Sequence, residues 1–155
     1  MKCIFLDIDG VLNNARTKSM TPDGFTGISN SLLNNLKNIV QITNAKIILT
    51  STWKSDWDIN IDNCTQTGIY LNKKFSQKRL YIFDKVRDTS KGSFYRGLSI
   101  IEYIKYHSNI TDFVIIDDSR FDFDEYIELK NHIVYTNELL GLTIDKVEEA
   151  IKIIT

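Results

Sequence analysis

Residues 3–13 read Cys-Ile-Phe-Leu-Asp-Ile-Asp-Gly-Val-Leu-Asn, an apolar run that ends on two aspartates one residue apart. Parallel α/β sheets place their chemistry just past the carboxyl ends of their strands, which is where this pair falls. Side chains two residues apart on an extended backbone point the same way, so Asp7 and Asp9 are expected to share one side. A bound cation would relieve the repulsion between two carboxylates placed so close together. The stretch therefore predicts an enzyme with an acidic site at a strand end.

The composition is that of one globular domain, which we place over residues 1–155. Hydrophobic residues make up 43% of the chain and charged residues 25%, and the net charge is −1, which is an ordinary balance for a globular protein. Such a charge gives no general attraction to nucleic acid or to anionic membranes. The N-terminus does not read as a signal peptide, and no apolar run is long enough to span a bilayer. Cys3 and Cys64 have no His-rich surroundings, which suggests reduced thiols in a cytoplasmic protein. No stable protein partner is predicted.

Strand and helix patterns alternate along the chain, which predicts a parallel sheet with helices on its faces. Short apolar runs predict four strands, over Lys2–Leu6, Ala45–Leu49, Phe113–Ile116 and Ile133–Tyr135. Apolar residues at helical spacing predict helices over Ile28–Val40, from near Arg96, over Phe121–Lys130 and over Thr143–Ile154. Ser29 or Asn30 is the expected N-cap of the first helix. Residues 55–92 give no clear pattern, although Leu80–Phe83 is rich in β-formers.

The first motif resembles that of the haloacid dehalogenase (HAD) superfamily of phosphohydrolases, in which an apolar strand is followed by Asp-x-Asp-Gly and often by Val-Leu-Asn. This chain carries the full form in residues 3–13. The resemblance implies an α/β three-layer sandwich with a parallel, Rossmann-like sheet and a small cap or none. It also implies that Asp7 is the nucleophile and that Asp9 is the acid and base.

Two further segments match motifs of that superfamily. The strand that ends at Leu49 is followed by Thr50 and Ser51, and the resemblance implies that one of their hydroxyls holds a phosphoryl oxygen. Thr50 is preferred by its spacing from the apolar run, and Ser51 stays open. The third motif is a Lys or Arg at the start of the helix before the last catalytic strand. Arg96 is preferred there and Lys91 is its competitor.

The last motif is an apolar strand that ends in Asp-Asp with another Asp four residues later. Asp117, Asp118 and Asp122 match it. A buried strand that ends in two acids is costly unless the acids are paired or bind a cation. Together with Asp7 and Asp9, these residues predict a site for Mg²⁺, a hard ion that takes oxygen ligands. The ligands implied are Asp7, the Asp9 carbonyl and Asp118, with Asp117 or Asp122 in addition.

A narrower resemblance is to the small HAD-like domain of Swiss army knife RNA repair proteins. That group shares the opening motif, a strand end rich in Ser and Thr that is followed by Trp and a basic residue, an Arg-Gly before a helix, an Asp-Asp and a late Gly-Leu-Thr. After the opening motif, the other four features are found here at residues 50–54, 96–97, 117–118 and 141–143, in that order. Trp53 and Trp57 either pack in the core, which we favour, or stack a base near the phosphate site.

The function implied is Mg²⁺-dependent hydrolysis of a phosphomonoester through an aspartyl-phosphate. The substrate is a phosphorylated small molecule, a nucleotide or a nucleic-acid phosphate end. The near-neutral charge argues against tight binding of a polymer by this chain alone. The alternatives are a phosphotransferase of the same mechanism and a binding or regulatory domain that keeps the fold without turnover. The presence of both Asp7 and Asp9 argues against the last of these.

Overall fold

A computed structural model describes residues 1–155. Five strands form one sheet: β1 (Lys2–Leu6), β2 (Lys46–Leu49), β3 (Ile82–Lys85), β4 (Asp112–Asp117) and β5 (Ile133–Tyr135). Four α-helices accompany them: α1 (Asn30–Thr43), α2 (Gln66–Gln77), α3 (Arg96–Tyr106) and α4 (Ile144–Ile154). No helix is both long and apolar enough to cross a membrane.

The sheet is wholly parallel, in the order β3-β2-β1-β4-β5. The chain leaves β1 to build one half of the sheet and then returns to build the other half beside it. The strand order therefore reverses at β1, and its carboxyl end opens at the switch point where parallel sheets bind ligands. The predicted α/β fold, a parallel sheet sandwiched between helices, is confirmed.

The two faces of the sheet bury two separate cores. Alternate residues of β1 point to opposite faces, so Ile4 and Leu6 join the larger core while Cys3 and Phe5 join the smaller one. The larger core is covered by α1, α2 and α4, and the smaller one by α3. The apolar stripes of the helices, such as Leu33-Leu36-Ile39 in α1, explain these positions.

Most of the predicted elements are confirmed to within two residues at the helix starts and strand ends. Ser29 is the N-cap of α1, since its hydroxyl accepts a hydrogen bond from the Leu32 amide. The segment that gave no clear pattern, residues 55–92, forms α2, the edge strand β3 and a short 3₁₀ turn over Ile61–Asn63. β3 overlaps the β-prone run Leu80–Phe83.

The helix predicted over Phe121–Lys130 is wrong. Only a short 3₁₀ turn forms there, over Phe123–Glu125, and turns follow it. Phe123 and Leu129 are both buried in the smaller core, whereas Ile127 between them is 77% exposed. Phe123 and Leu129 are six residues apart, so in a helix they would point in different directions. The chain turns instead, and both side chains reach the smaller core.

Candidate active site

Polar residues stand at the carboxyl ends of three neighbouring strands. Asp7 follows β1, Thr50 follows β2, and Asp117 is the last residue of β4. Backbone bonds carry the sheet one step past the strands, because the Asp7 amide donates to Ile116 O at 3.0 Å and the Thr50 amide donates to Leu6 O at 2.9 Å. The sheet itself thus fixes these three residues side by side.

Arg96, from the helix that covers the smaller core, forms ion pairs with two of these residues, Asp7 and Asp117. It is the first residue of α3, and its Nη1 lies 3.1 Å from Asp7 Oδ1 and 2.7 Å from Asp117 Oδ2. All three side chains are buried, so their charges interact in a medium of low polarity. Lys91, the alternative cation, is exposed and lies over the Tyr95 ring at 5.6 Å. The structure brings Arg96 and not Lys91 to the strand ends.

Three carboxylates form a compact cluster at this point. Oxygens of Asp7, Asp117 and Asp118 all lie within 4.8 Å of one another. One guanidinium offsets three carboxylates, and half-buried Asp118 opens the cluster to solvent. An all-oxygen donor set with excess negative charge fits a hard divalent cation such as Mg²⁺.

Gly10 allows Asp118 to reach this cluster. It has φ +76°, a conformation that disfavours other residues, and a Cβ on it would lie 2.1 Å from Asp118 Oδ2. The glycine of the first motif is therefore required both by the turn and by the approach of the fourth-motif carboxylate.

The pKa values of Asp7 and Asp117 are both raised, because the two carboxyl groups are buried close to other acids. Burial raises the pKa of Asp7 well above 3.8, and the Asp117 charge raises it further, while Arg96 lowers it in part. Burial likewise raises the pKa of Asp117, against the opposing effects of Arg96 and of the Ser119 amide. For Arg96, burial lowers the pKa, but Asp117 and Asp7 outweigh it and the net shift is upward.

These shifts predict how the stability of the metal-free protein depends on pH. The folded state holds protons on Asp7 and Asp117 more tightly than the unfolded chain does. The contribution of these groups to the free energy of unfolding is therefore greatest below about pH 4 and declines as pH rises through the raised pKa values. Melting temperatures measured in chelator over a pH series should fall along this range, and Asp7→Asn should flatten the decline. An identical decline in Asp7→Asn and in the wild type would contradict the assignment, and Asp62→Asn, an exposed acid outside the site, is the matched control.

Asp9 is exposed and lies outside the carboxylate cluster. Its Oδ1 accepts a hydrogen bond from Asn13 Nδ2 at 2.9 Å, and its Oδ2 accepts one from Trp53 Nε1 at 3.1 Å. Asn13 is itself fixed by the Gly10 amide, which donates to Asn13 Oδ1. The two aspartates of the first motif therefore have different surroundings: Asp7 is buried with a cation, and Asp9 is oriented by two neutral donors at the solvent edge.

The contacts that Trp53 and Asn13 make with Asp9 do not follow from the sequence patterns. Trp53 and Trp57 are both buried in the larger core, as favoured, but the Trp53 indole also reaches Asp9. Asn13 was visible only as the end of the first motif. No spacing rule predicts that a tryptophan 44 residues away donates to Asp9.

The hydroxyls of Thr50 and Ser51 differ in their partners. The Ser51 hydroxyl accepts a hydrogen bond from the Trp53 amide at 3.2 Å and so caps the short 3₁₀ turn Thr52–Ser55. Thr50 Oγ1 is fully buried and has no hydrogen-bond partner. An unpaired buried hydroxyl is costly, and at this strand end it is available to a ligand.

Asp122 also stays outside the cluster, although the sequence offered it as a metal ligand. Its Oδ1 accepts a hydrogen bond from the Gly97 amide at 2.6 Å, and its Oδ2 accepts one from the Leu98 amide at 3.1 Å. A carboxylate placed on the first turn satisfies free amides and complements the helix dipole. Asp122 thus anchors the start of α3, and with it Arg96, and we leave it out of the ligand set that we propose.

The family model for the HAD domain in Swiss Army Knife RNA repair proteins matches residues 3–147 of this chain. Comparison with curated proteins gave no significant match. Comparison with solved structures gave none either.

Proposed function

The chain belongs to the HAD domain family of Swiss Army Knife RNA repair proteins, and on that premise we propose that it is a Mg²⁺-dependent phosphomonoester hydrolase. The family suggests a hydrolase or phosphatase-like role and the use of a metal ion. The observation that carries the proposal is the arrangement of Asp7, which is held by Arg96 within 4.8 Å of two more carboxylates at the sheet switch point.

The reaction that we propose begins at Asp7. One of its oxygens attacks phosphorus in line, the bond from phosphorus to the alcohol oxygen breaks, and an aspartyl-phosphate forms. Asp9, oriented by Asn13 and Trp53, gives its proton to the departing alcohol oxygen. Asp9 then takes a proton from water as that water attacks phosphorus, which releases phosphate and restores the Asp7 carboxylate.

Other groups of the site would bind the phosphoryl group and the metal ion and neutralise charge. Arg96 offsets the charge of Asp7 and Asp117, so a carboxylate can approach an anionic phosphoryl group. The Thr50 hydroxyl supplies a hydrogen bond to a phosphoryl oxygen. Asp7, Asp117, Asp118 and the Asp9 carbonyl would hold Mg²⁺, which supplies charge neutralisation in the transition state.

The first test of this function is its dependence on a divalent cation. Purified protein should hydrolyse a generic aryl phosphate in Mg²⁺, lose that activity in excess chelator and regain it when Mg²⁺ is restored. A melting curve recorded in chelator separates loss of the metal from loss of the fold. Undiminished activity in chelator would rule out the metal site, and failure to hydrolyse nucleotides, sugar phosphates and phosphorylated oligonucleotide ends alike would favour a non-catalytic domain.

Thr50→Val tests the phosphoryl contact at the second strand. Valine keeps the shape of threonine and removes an unpaired buried hydroxyl, so the melting temperature should stay the same or rise. Loss of a hydrogen bond to a charged group should lower kcat/KM by roughly 10- to 100-fold. Ser51→Ala is the contrasting variant, because it removes the cap on the Trp53 amide and should lower stability instead. Unchanged kinetics in Thr50→Val would exclude the contact.

A further inference from the structure

Asp9 lines two cavities. The larger, of about 480 Å³, lies between the loop that follows the first motif and the start of α2. Pockets of roughly 300–1,000 Å³ hold ligands of nucleoside or sugar size. The leaving oxygen of a phosphomonoester must lie beside the acid that protonates it, and the alcohol that carries this oxygen must extend into space next to Asp9.

Both cavities are acidic. The larger one is lined by Asp9, Asp23 and Asp56, and the smaller one, of about 360 Å³, is lined by Asp9, Asp118 and Glu138. Neither lining contains a lysine, an arginine or a histidine. The buried cation of the site, Arg96, is engaged by Asp7 and Asp117. A negatively charged group on the alcohol would therefore find no cation in either cavity and would meet several carboxylates.

The larger cavity also has hydrogen-bonding capacity and an apolar wall. Asp23 Oδ2 accepts a hydrogen bond from the Thr67 hydroxyl at 2.6 Å, and Asp56 Oδ1 accepts one from the Thr65 hydroxyl at 2.7 Å. The other oxygen of each carboxylate accepts no hydrogen bond from the chain and is free for a ligand hydroxyl or amine. Four threonines line the cavity, and the Phe25 ring, 70% exposed, offers a flat apolar surface beside them.

We infer that this cavity binds the alcohol part of the substrate and that Asp23 and Asp56 determine its specificity. The class selected is an uncharged or cationic hydroxyl compound, up to nucleoside size, that carries no second phosphate or carboxylate. The inference rests on the proposed function for the reacting phosphate, and it narrows the substrates from nucleic-acid strands toward phosphomonoesters of small neutral or cationic alcohols.

The test uses three aryl phosphates that differ only in the para group: aminomethyl, methyl or carboxylate. Each is assayed for kcat/KM with the wild type and for affinity to Asp7→Asn in Mg²⁺ by calorimetry. Two unit charges roughly 7 Å apart interact by an amount equivalent to about a threefold change in binding in bulk water and about a 50-fold change near a protein surface, and tenfold lies between these limits. We therefore expect the cationic ester to be preferred over the neutral one, and the neutral over the anionic, by about tenfold at each step. The Asp23→Asn, Asp56→Asn double variant should reduce each step to about threefold or less.

The matched control is Asp62→Asn, the same charge change at an exposed aspartate that lines neither cavity. It should leave the selectivity unchanged. Equal or better binding of the carboxylate ester, or a selectivity that survives in the double variant, would overturn the inference. Selective binding without turnover by the wild type would instead contradict the proposed function and leave the inference supported.

Discussion

Asp7→Asn should reduce turnover by roughly 10⁴-fold or more while the protein still folds. The amide is nearly isosteric with the carboxylate but cannot act as the nucleophile. Its neutral side chain also removes one charge from a cluster in which burial and Asp117 raise the pKa of Asp7. The metal-free variant should therefore melt at the wild-type temperature or above it, even though it loses the ion pair with Arg96.

The measurement pairs steady-state kinetics with a melting curve in chelator. Asp62→Asn, which changes an exposed aspartate to the same amide, should keep wild-type rates. Asp7→Asn with near wild-type turnover would mean that the nucleophile is elsewhere. An inactive variant that is also unfolded would contradict the charge argument.

Asp9→Asn should slow substrates with poor leaving groups far more than substrates with good ones. An alkyl phosphate needs its leaving oxygen protonated, whereas a nitrophenyl phosphate departs with little help. General acid catalysis is typically worth ~10²–10⁴-fold, so the two substrates should differ in their loss of kcat/KM by that order. Asn at this position keeps one acceptor oxygen for the Trp53 indole but turns a second donor toward the Asn13 amide, and the loss of that contact should slow both substrates alike.

The comparison needs kcat/KM of wild type and variant on one alkyl and one nitrophenyl phosphate. Equal losses on both, with breakdown of the aspartyl-phosphate shown not to limit the rate, would remove Asp9 as the acid and leave it only a metal or structural role. A Trp53→Phe protein is a useful companion, because it keeps an aromatic ring in the core and removes the donor to Asp9. It should show a smaller loss with the same dependence on the leaving group.

The strands of the site were predictable because their signals are local. β1, β2, β4 and β5 are short, nearly continuous apolar runs, which is the pattern of parallel strands that are buried on both faces. α2 was not predictable in this way. Its buried residues include Thr67 and Gly68, and only Leu71 and Phe75 mark an apolar face, so its periodicity is weak. Its formation depends on the larger core that it covers.

The candidate site likewise contains some residues whose positions were predictable from the sequence and others whose contacts were not. Positions at strand ends, such as Asp7, Thr50 and Asp117, follow from sequence because the edge of a parallel sheet gathers them. Contacts between the sheet and the helices or loops that cover it do not follow from the sequence. Asp122 illustrates this, because its spacing matches a metal-ligand motif while its carboxylate binds the amides at the start of α3. A motif specifies which residue types are present, whereas the packing of α3 against the turn Phe123–Glu125 determines what Asp122 touches.

The stereochemical course at phosphorus tests the central claim, transfer through an aspartyl-phosphate, most directly. A phosphomonoester made chiral at phosphorus with oxygen isotopes is converted in Mg²⁺ with an acceptor alcohol present, and the configuration of the new ester is determined. Each in-line displacement inverts phosphorus, so attack by Asp7 followed by attack of the acceptor predicts net retention. Net inversion would show direct transfer in one step and would contradict a covalent role for Asp7.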